Sequence, residues 1–454
     1  MSDLLSIGAS GLRAYQAALT TVSDNIANSA TPGYTRRSVS LAENSSTNGV
    51  LSQQRSTVGN GVAIVGTQRM SDELRNIAAR NTGSDLARTE SSITWLSRIE
   101  QSLTGNQLSD RMSDFFNASK QIAADPTSSP ARTAYLEAAT GIATAFQTTA
   151  RSLDQVNADL DATANAAVDR INQLSATLAK INEGLGSTPP NTTSQAQLLD
   201  QRDAALQEMA SITDISVNYN NGGRVDVRLG NATGPKAVDT GPKAVDGVSA
   251  GVLSYVRSPV GVVSFKLLQR GEANTASLNG GSLAAIVESA QRVADTRFKL
   301  DGIATALVDG VNNLQAQGED LDGNTGAPIF TVGATPANFS VVLTNPRGVA
   351  AAAAGAGPRD NSNIRGIQTL RASSGIEENV AALVADNAAT LSGRKLVAEA
   401  QSAIHDGAVT ARDQVSGVSL DTEAVDLLRY QQAYQASSKV IQVARDTLQA
   451  LLEI

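Results

Sequence analysis

The two ends of the chain constrain its fold more than anything between them. From Ser419 to Leu452 there is neither Gly nor Pro, and Leu420, Leu427, Tyr434, Ile441 and Leu448 recur every seven residues. A second line, Tyr430, Ser437, Ala444 and Leu451, sits three positions after members of the first. Residues so spaced line one seam of an α-helix, the pattern that pairs helices into coiled coils. The helix would be ~50 Å long, and an element elsewhere must cover its seam. The opposite end offers one: Leu5, Leu12, Leu19 and Ile26 are again seven apart, with Tyr15 and Val22 as the companion line. The plain alternative is that both seams are core faces of ordinary helical domains. Their position at the extremes favours assembly, because termini are usually the least packed parts of a domain. The two seams are expected to pair with each other, within one chain or between neighbouring subunits.

At 454 residues the chain is longer than a single core supports, so two to four domains are expected. Charged residues make up 18% and aromatics 3%, against roughly 25% charged in ordinary globular proteins. Thin helical bundles with small core residues fit that composition better than one bulky core. A net charge of −8 argues against nucleic-acid binding, which needs a basic face. The absence of cysteine excludes disulfides, thiolate metal sites and a cysteine nucleophile. Asp3 and Arg13 do not suit a secretory signal, and no run reaches the ~18 apolar residues of a membrane span. Hydropathy alone therefore reads as a soluble cytoplasmic chain, a reading that fails if the protein leaves by a route that cleaves no signal.

The first helix should start near Ser2 or Asp3 and stop before Thr31-Pro32-Gly33. Gly8 and Gly11 inside it each cost ~1 kcal/mol relative to Ala, which fits a segment that orders on assembly. Tyr34–Leu41 looks extended, Glu43–Asn48 is polar, and Gly49–Gln68 reads as a small β element. Helices are expected over Asp72–Leu103, Leu108–Ala123 and from Ser129-Pro130 to about Ile181, the last ~75 Å long. After a loop at Gly184–Thr192, a helix carries Leu198-Leu199-Asp200-Gln201-Arg202-Asp203 to about Ser211. Composition then turns β-like over Ile215–Asn218, Arg224–Leu229 and Val252–Leu268, with a turn at Asn220-Asn221-Gly222-Gly223. Within it Thr233–Asp239 is repeated residue for residue as Thr240–Asp246, read as a duplication tolerated in an exposed loop. Helix returns over Ser282–Gln317, then a loop at Gly318–Pro328 and a strand at Phe339–Leu343. After the Ala/Gly run Gly348–Gly357, helices resume from about Asn363 to the end, with breaks at Gly375 and Gly417.

Catalytic chemistry has little to work with. His405 is the only histidine, so a histidine-rich zinc site is excluded. Asp320, Asp322 and Asn324 alternate as in a calcium loop, but the Gly falls at 323 and Thr331 stands where the closing Glu should be. Gly59-Asn60-Gly61 lacks the helix context of a phosphate loop. No enzyme activity, catalytic residue, metal or cofactor is expected.

Other stretches resemble a known family. Ser10-Gly11-Leu12, Ala17-Ala18-Leu19, Asp24-Asn25-Ile26-Ala27-Asn28 and Thr31-Pro32-Gly33-Tyr34 resemble the N-terminal signature of bacterial flagellar rod, hook and hook-associated proteins. Ser416-Gly417-Val418-Ser419-Leu420-Asp421-Thr422-Glu423 and Tyr430-Gln431-Gln432-Ala433-Tyr434-Gln435-Ala436-Ser437 are closer to the hook-associated proteins of the first type, which join hook to filament. The stretch Leu198–Asp203, Val311-Asn312-Asn313 with Gly318–Gly323, and Pro328-Ile329-Phe330 look like that family's helical body. Thr422, Val425 and Ala444-Arg445 are less typical of it.

The resemblance implies a mainly α fold. Residues 1–41 with 415–454 would form a terminal coiled-coil tube domain. Residues 42–211 with 282–414 would form a helical, rod-like body, and 212–281 a small β-rich outer insert. It implies a structural ring of eleven copies, with Leu5, Leu12, Tyr15, Leu19, Val22 and Ile26 as one assembly seam. The other seam would be Leu420, Leu427, Tyr430, Tyr434, Ile441, Leu448 and Leu451. Expected partners are further copies, the hook protein, the second hook–filament junction protein and a cytoplasmic export chaperone at the C-terminal helix, with no nucleic acid and no membrane insertion. The implied location is extracellular, at the hook–filament junction, reached by the flagellar type III route without a cleaved signal. The rivals are another axial protein of hook or distal rod, or a coiled-coil surface adhesin.

Overall fold

The computed structural model describes residues 2–44, 61–230, 234, 236–239, 249–258, 261–269 and 271–452. The chain is mainly helical. Helix α1 (Ser2–Ala27) leads into an antiparallel hairpin of β1 (Arg37–Glu43) and β2 (Val62–Arg69), with a register shift between Ser40 and Leu41. Residues 45–60, which take in most of the polar stretch Glu43–Asn48 and the first part of Gly49–Gln68, lie outside the described residues.

Helices α2 (Glu73–Thr104) and α3 (Leu108–Ala124) follow. Asp72 caps α2, its carboxylate accepting the amides of Leu74 and Arg75 at 3.0 and 3.3 Å. Helix α4 (Ser129–Ser187) is 59 residues long, ~88 Å at 1.5 Å per residue. Its cap is Ser128, one residue before the expected Ser129, with Pro130 in the first turn. It runs past Ile181 because Asn182 and Leu185 are still buried, and the Pro189-Pro190 pair ends it. Helix α5 (Thr193–Ile212) is capped by Thr192.

The β region comprises β3 (Ile215–Tyr219), β4 (Val225–Leu229), β5 (Lys236–Asp239) and β6 (Ser249–Ala250) in one antiparallel sheet. A second sheet holds β7 (Val252–Arg257), β8 (Val263–Gln269) and β9 (Glu272–Ala276). Strand β5 is the end of the first TGPKAVD copy; the second copy lies outside the described residues. Two asparagines of α4 seat the sheets by imitating a neighbouring strand. Asn182 exchanges hydrogen bonds with the Val225 backbone at 2.7 and 2.9 Å, and Asn172 does so with Leu253 at 3.0 and 2.7 Å.

Helices α6 (Gly281–Gln317), α7 (Ser362–Ser374), α8 (Ile376–Ser416) and α9 (Leu420–Leu452) complete the chain. The loop between α6 and α7 includes short strand pairs at Gly318–Glu319 with Ala352–Ala353 and at Phe330–Thr331 with Ser340–Val341. Gly375, at φ 62°, is the left-handed residue that separates α7 from α8. The few aromatics are concentrated where α3, α4 and this loop meet. Phe115 stacks on Tyr135 at 5.0 Å and touches Phe116 and Phe330, while Phe339 joins Phe330 to Phe146. Helix α8 runs antiparallel along α2, as Asn387 on the Leu96 carbonyl, His405 beside Thr82 and Arg75 on the Ala411 carbonyl show. Helix α9 folds back along α1, at the side of the chain where the hairpin lies.

Candidate assembly interface

Helices α1 and α9 meet along small residues. The buried line of α1 is Gly8, Gly11, Ala14, Ala18, Val22 and Asn25, at three- and four-residue steps. Opposite it on α9 lie Tyr430, Ala433, Ser437 and Ile441, half-buried, and Ala444, buried. A Cβ on Gly8 would stand 2.6 Å from Ile441 Cγ1, and one on Gly11 would stand 2.8 Å from Ser437 Oγ. The two backbones approach closely only because those side chains are missing. The helix-propensity cost of the two glycines is thereby offset by packing.

The residues expected from the heptads are distributed around this seam. Val22 is buried; Leu5, Leu12, Tyr15, Leu19 and Ile26 are half-buried on its shoulder, and Tyr15 meets Tyr430 with ring centroids 6.5 Å apart. Leu427, Tyr430 and Ile441 are half-buried, whereas Leu420, Tyr434 and Leu448 are exposed; the side chain of Leu451 lies outside the described residues. Elsewhere on α9, Val425 and Val443 are 66% and 64% exposed, with Leu428 and Val440 also uncovered. Helix α1 covers one stripe of a helix that is apolar on more than one stripe.

A buried polar cluster closes the seam at its hairpin end. Glu423 has no exposed surface; it accepts Arg36 Nε at 2.6 Å and Asn25 Nδ2 at 3.0 Å. Asn25 also donates to the Arg37 carbonyl at 2.8 Å, and its Oδ1 accepts the Arg37 amide and the Tyr34 hydroxyl at 3.0 and 2.9 Å. Arg36 reaches Asp426 at 3.1 Å, and its amide donates to the Ser416 carbonyl at 2.8 Å. Asn25 and Glu423 thus tie α1, α9 and the start of the hairpin together, and the Arg36 amide adds the end of α8. Burial pushes the Tyr34 hydroxyl above its ordinary pKa, keeping it a donor.

The hairpin is fixed in turn to α5. Arg37 and Arg69 both donate to Asp200, at 3.0 and 2.7 Å, and Arg69 donates to Asp203 at 2.7 Å. Arg202 grips Asp203 at 2.6 and 2.9 Å, donates to the Gly223 carbonyl and lies over the Tyr219 ring at 5.1 Å. Burial works against the Asp203 charge, yet Arg202 and Arg69 outweigh it and hold its carboxyl below the usual aspartate range. For Arg69, burial is outweighed by Asp203 and Asp200, so it is held more firmly charged. Burial also raises the Tyr219 hydroxyl, which accepts Arg80 Nη2 at 2.9 Å.

Among the described residues no group of three or more His, Asp or Glu could hold a metal ion, and no helix is long and apolar enough to cross a membrane. In the loop after α6, Asp320 Oδ1 accepts the amides of Asp322 and Asn324 at 2.8 and 2.9 Å, while Asp322 pairs with Arg347. That is the bonding of an Asx turn. His405 Nδ1 lies 3.1 Å from Thr82 Oγ1 on the α2–α8 contact.

Sequence reasoning placed none of Gly8, Gly11, Asn25, Arg36, Arg37, Arg69, Asp200, Asp203 or Glu423 among the assembly-seam residues. One signal was available for Glu423: it stands seven residues before Tyr430, so a carboxylate occupies a position of the apolar companion line.

A scan against protein-family models matches residues 96–330, just over half of the chain, to the flagellar hook-associated protein FlgK helical domain. Residues 5–35 match the flagella basal body rod protein model, and 412–454 the flagellar basal body rod FlgEFG protein C-terminal model. Flagellar hook-associated protein 1 of Escherichia coli is 29% identical over 80% of this chain and 65% of its own length. That of Salmonella typhimurium is 29% identical over 73% and 60%. The chain therefore spans less than two thirds of these two relatives. Its counterpart in Bacillus subtilis is 24% identical over 97% of this chain and 96% of its own. The solved flagellar hook junction protein FlgK from Burkholderia pseudomallei is 21% identical, with a TM-score of 0.49 over 58% of this chain and 47% of that one.

Proposed function

We propose, for a chain that belongs to the FlgK family of flagellar hook-associated proteins, that it is the structural ring joining hook to filament, built by self-assembly through α1 and α9. Membership makes it an axial component of the flagellum. The observation that carries the finer reading is the apolar surface of α9 that α1 leaves open, above all Val425, Leu428, Val443 and Leu448. A helix apolar on several stripes is stable in water only when further helices cover it, and neighbouring copies in a ring supply them. In this reading residues 1–41 with 415–454 form the inner tube. Residues 42–211 with 282–414 form the surrounding body, and 212–281 project outward.

The assembly seams are Leu5, Leu12, Tyr15, Leu19, Val22 and Ile26 against Leu427, Tyr430 and Ile441, with Leu420, Tyr434 and Leu448 turned to other copies and Leu451 as the last member of the C-terminal seam. The ring of eleven copies sits outside the cell between the hook protein and the second junction protein. It is reached by export through the flagellum with a cytoplasmic chaperone on α9. The ends match models of rod proteins, which supports a tube-forming role shared with other axial proteins; the centre separates this chain from hook and rod.

The test is Val443→Asp. It places a charge on the open stripe without touching the α1 seam, so the purified chain stays folded. Cells carrying it should make hooks without filaments and lose filament subunits to the medium. Normal filament growth refutes the reading.

A further inference from the structure

The heptapeptide TGPKAVD occurs twice in tandem, at 233–239 and 240–246, and its first copy is not the exposed loop expected of a tolerated duplication. The last four residues of that copy are strand β5 (Lys236–Asp239), hydrogen-bonded between β4 and β6 and lying against α4 and β8. Ala237 and Val238 point to opposite faces of the strand, yet neither has any exposed surface. Val238 stands opposite Val227 on β4 and Ala250 on β6. Lys236 Nζ is 3.7 Å from Asp226, and the Gly234 carbonyl accepts Arg228 Nη1 at 2.7 Å. Every residue that makes these contacts on the β5 side recurs seven positions later, as Gly241, Lys243, Ala244 and Val245.

A strand that slips by an odd number of residues normally turns its buried side chains outward. A slip of seven does not do so here, because each position of β5 receives the residue type it had before. Only the connections change. With Lys236–Asp239 in place, residues 230–235 lead in from β4 and residues 240–248 lead out to β6. With 243–246 in place, residues 230–242 lead in and only Gly247 and Val248 lead out. That short exit is a permitted hairpin. The Gly251 amide donates to the Ala237 carbonyl at 2.8 Å, so residues 237 and 251, and by alternation 239 and 249, are hydrogen-bonded pairs of the antiparallel ladder. Asp246 opposite Ser249 inherits that pairing, the kind that closes a two-residue loop, and Gly247 falls at the first central position of a type II′ turn. Doubling the entry loop disfavours the second arrangement roughly threefold, and shortening the exit loop favours it by a similar or larger factor. The two arrangements therefore lie within about tenfold of each other.

We propose that the duplication gives this region two strand registers: the place between β4 and β6 takes either Lys236–Asp239 or residues 243–246, and the chain passes from one to the other by a step of seven residues. The copy outside the sheet then belongs to a connection, after the strand in the first register and before it in the second. The step carries an identical heptapeptide from one end of β5 to the other, ~13 Å along a strand of that length, while the buried contacts stay the same. It needs only one chain, so it stands apart from the ring reading.

The test uses the full chain with Val238→Asp, Val245→Asp and the two together, reading hydrogen exchange of the β4 amides that face β5. A carboxylate is strongly disfavoured at the buried Val238 position, so each single variant should settle with the intact copy in the sheet. Exchange in each should stay within about tenfold of the parent and in the double variant should rise roughly a hundredfold or more. Either single variant exchanging as fast as the double overturns the proposal, because the sheet then accepts one copy only. A double variant that exchanges like the parent overturns it too, because neither copy is then needed there. The chain has no cysteine, so a disulfide reads the register independently. Val227 has no exposed surface, and a thiol in its place is reached from the strand beside it. Under mild oxidation Val227→Cys should cross-link with Val238→Cys in one variant and with Val245→Cys in another, as located by peptide mapping. A cross-link that forms with the first and not with the second overturns the exchange of registers.

Discussion

Gly8→Ala sets two effects of similar size against each other, and the structure decides the sign. In a lone helix the exchange stabilises by ~1 kcal/mol. In the α1–α9 pair the new methyl lands 2.6 Å from Ile441 Cγ1, where carbon atoms need ~3.5–4.0 Å. Ile441 is β-branched and has few rotamers with which to retreat, so the helices must separate locally. Overpacking of this kind costs ~1–3 kcal/mol, leaving a net loss of up to ~2 kcal/mol. Gly11→Ala differs: its nearest neighbour is Ser437 Oγ at 2.8 Å, then Ser437 Cβ at 3.4 Å. That hydroxyl now donates to the Ala433 carbonyl and can rotate, so Gly11→Ala should be neutral or stabilising by up to ~1 kcal/mol. Native-state hydrogen exchange of the α1 and α9 amides reads the opening free energy of the pair directly. Gly8→Ala combined with Ile441→Ala should be less damaging than the sum of the two, by ~1–2 kcal/mol. Protection that rises by ~1 kcal/mol in Gly8→Ala, with no coupling to Ile441→Ala, would refute the close contact of the two helices.

Glu423→Ala strips Arg36 and Asn25 of a buried acceptor and should cost ~3–5 kcal/mol, read as lost α9 protection, while Glu423→Gln keeps the shape and should cost less. Asp203 is held below the ordinary aspartate value of 3.8, so its contribution is present above that value and fades as pH falls through its folded pKa. Parent and Asp203→Asn should differ in urea stability by a constant amount near neutrality and converge in acid; a difference that grows on acidification would contradict the pairing. Asn182→Ala and Asn172→Ala each leave a Val225 or Leu253 backbone pair unmade and should loosen the β sheets by ~1–3 kcal/mol. Faster exchange confined to β4 and β7 would be the sign, with the terminal pair unchanged.

The long helices were legible because their signals are local: a cap, a proline in the first turn, and uninterrupted chain until Pro189 or Gly375. The α1–α9 pairing was legible as periodicity. The contact line was not, because a heptad search weights leucine, whereas close approach selects Gly8, Gly11, Ala14 and Ala18, residues that look like weaknesses in a lone helix. The polar cluster escaped for another reason. The stretch Leu198–Asp203 shows two carboxylates and an arginine, but their partners Arg37 and Arg69 lie 163 and 131 residues from Asp200. Only a folded chain brings them together.

The hydrogen bond from Asn25 to Glu423 joins residues 398 positions apart. Closing a loop of that length in a fluctuating chain costs roughly 5 kcal/mol of entropy, comparable with what the buried pair itself returns. With the body folded and the Arg36 amide on the Ser416 carbonyl, Asn25 stands eleven residues before Arg36 and Glu423 seven after Ser416, so the loop left to close is short. Pairing of α1 with α9 should therefore follow folding of the body; α9 amides that gain protection before those of the body in pulsed hydrogen exchange would contradict it. A chain lacking only α9 should keep a folded body and leave the small-residue face of α1 uncovered.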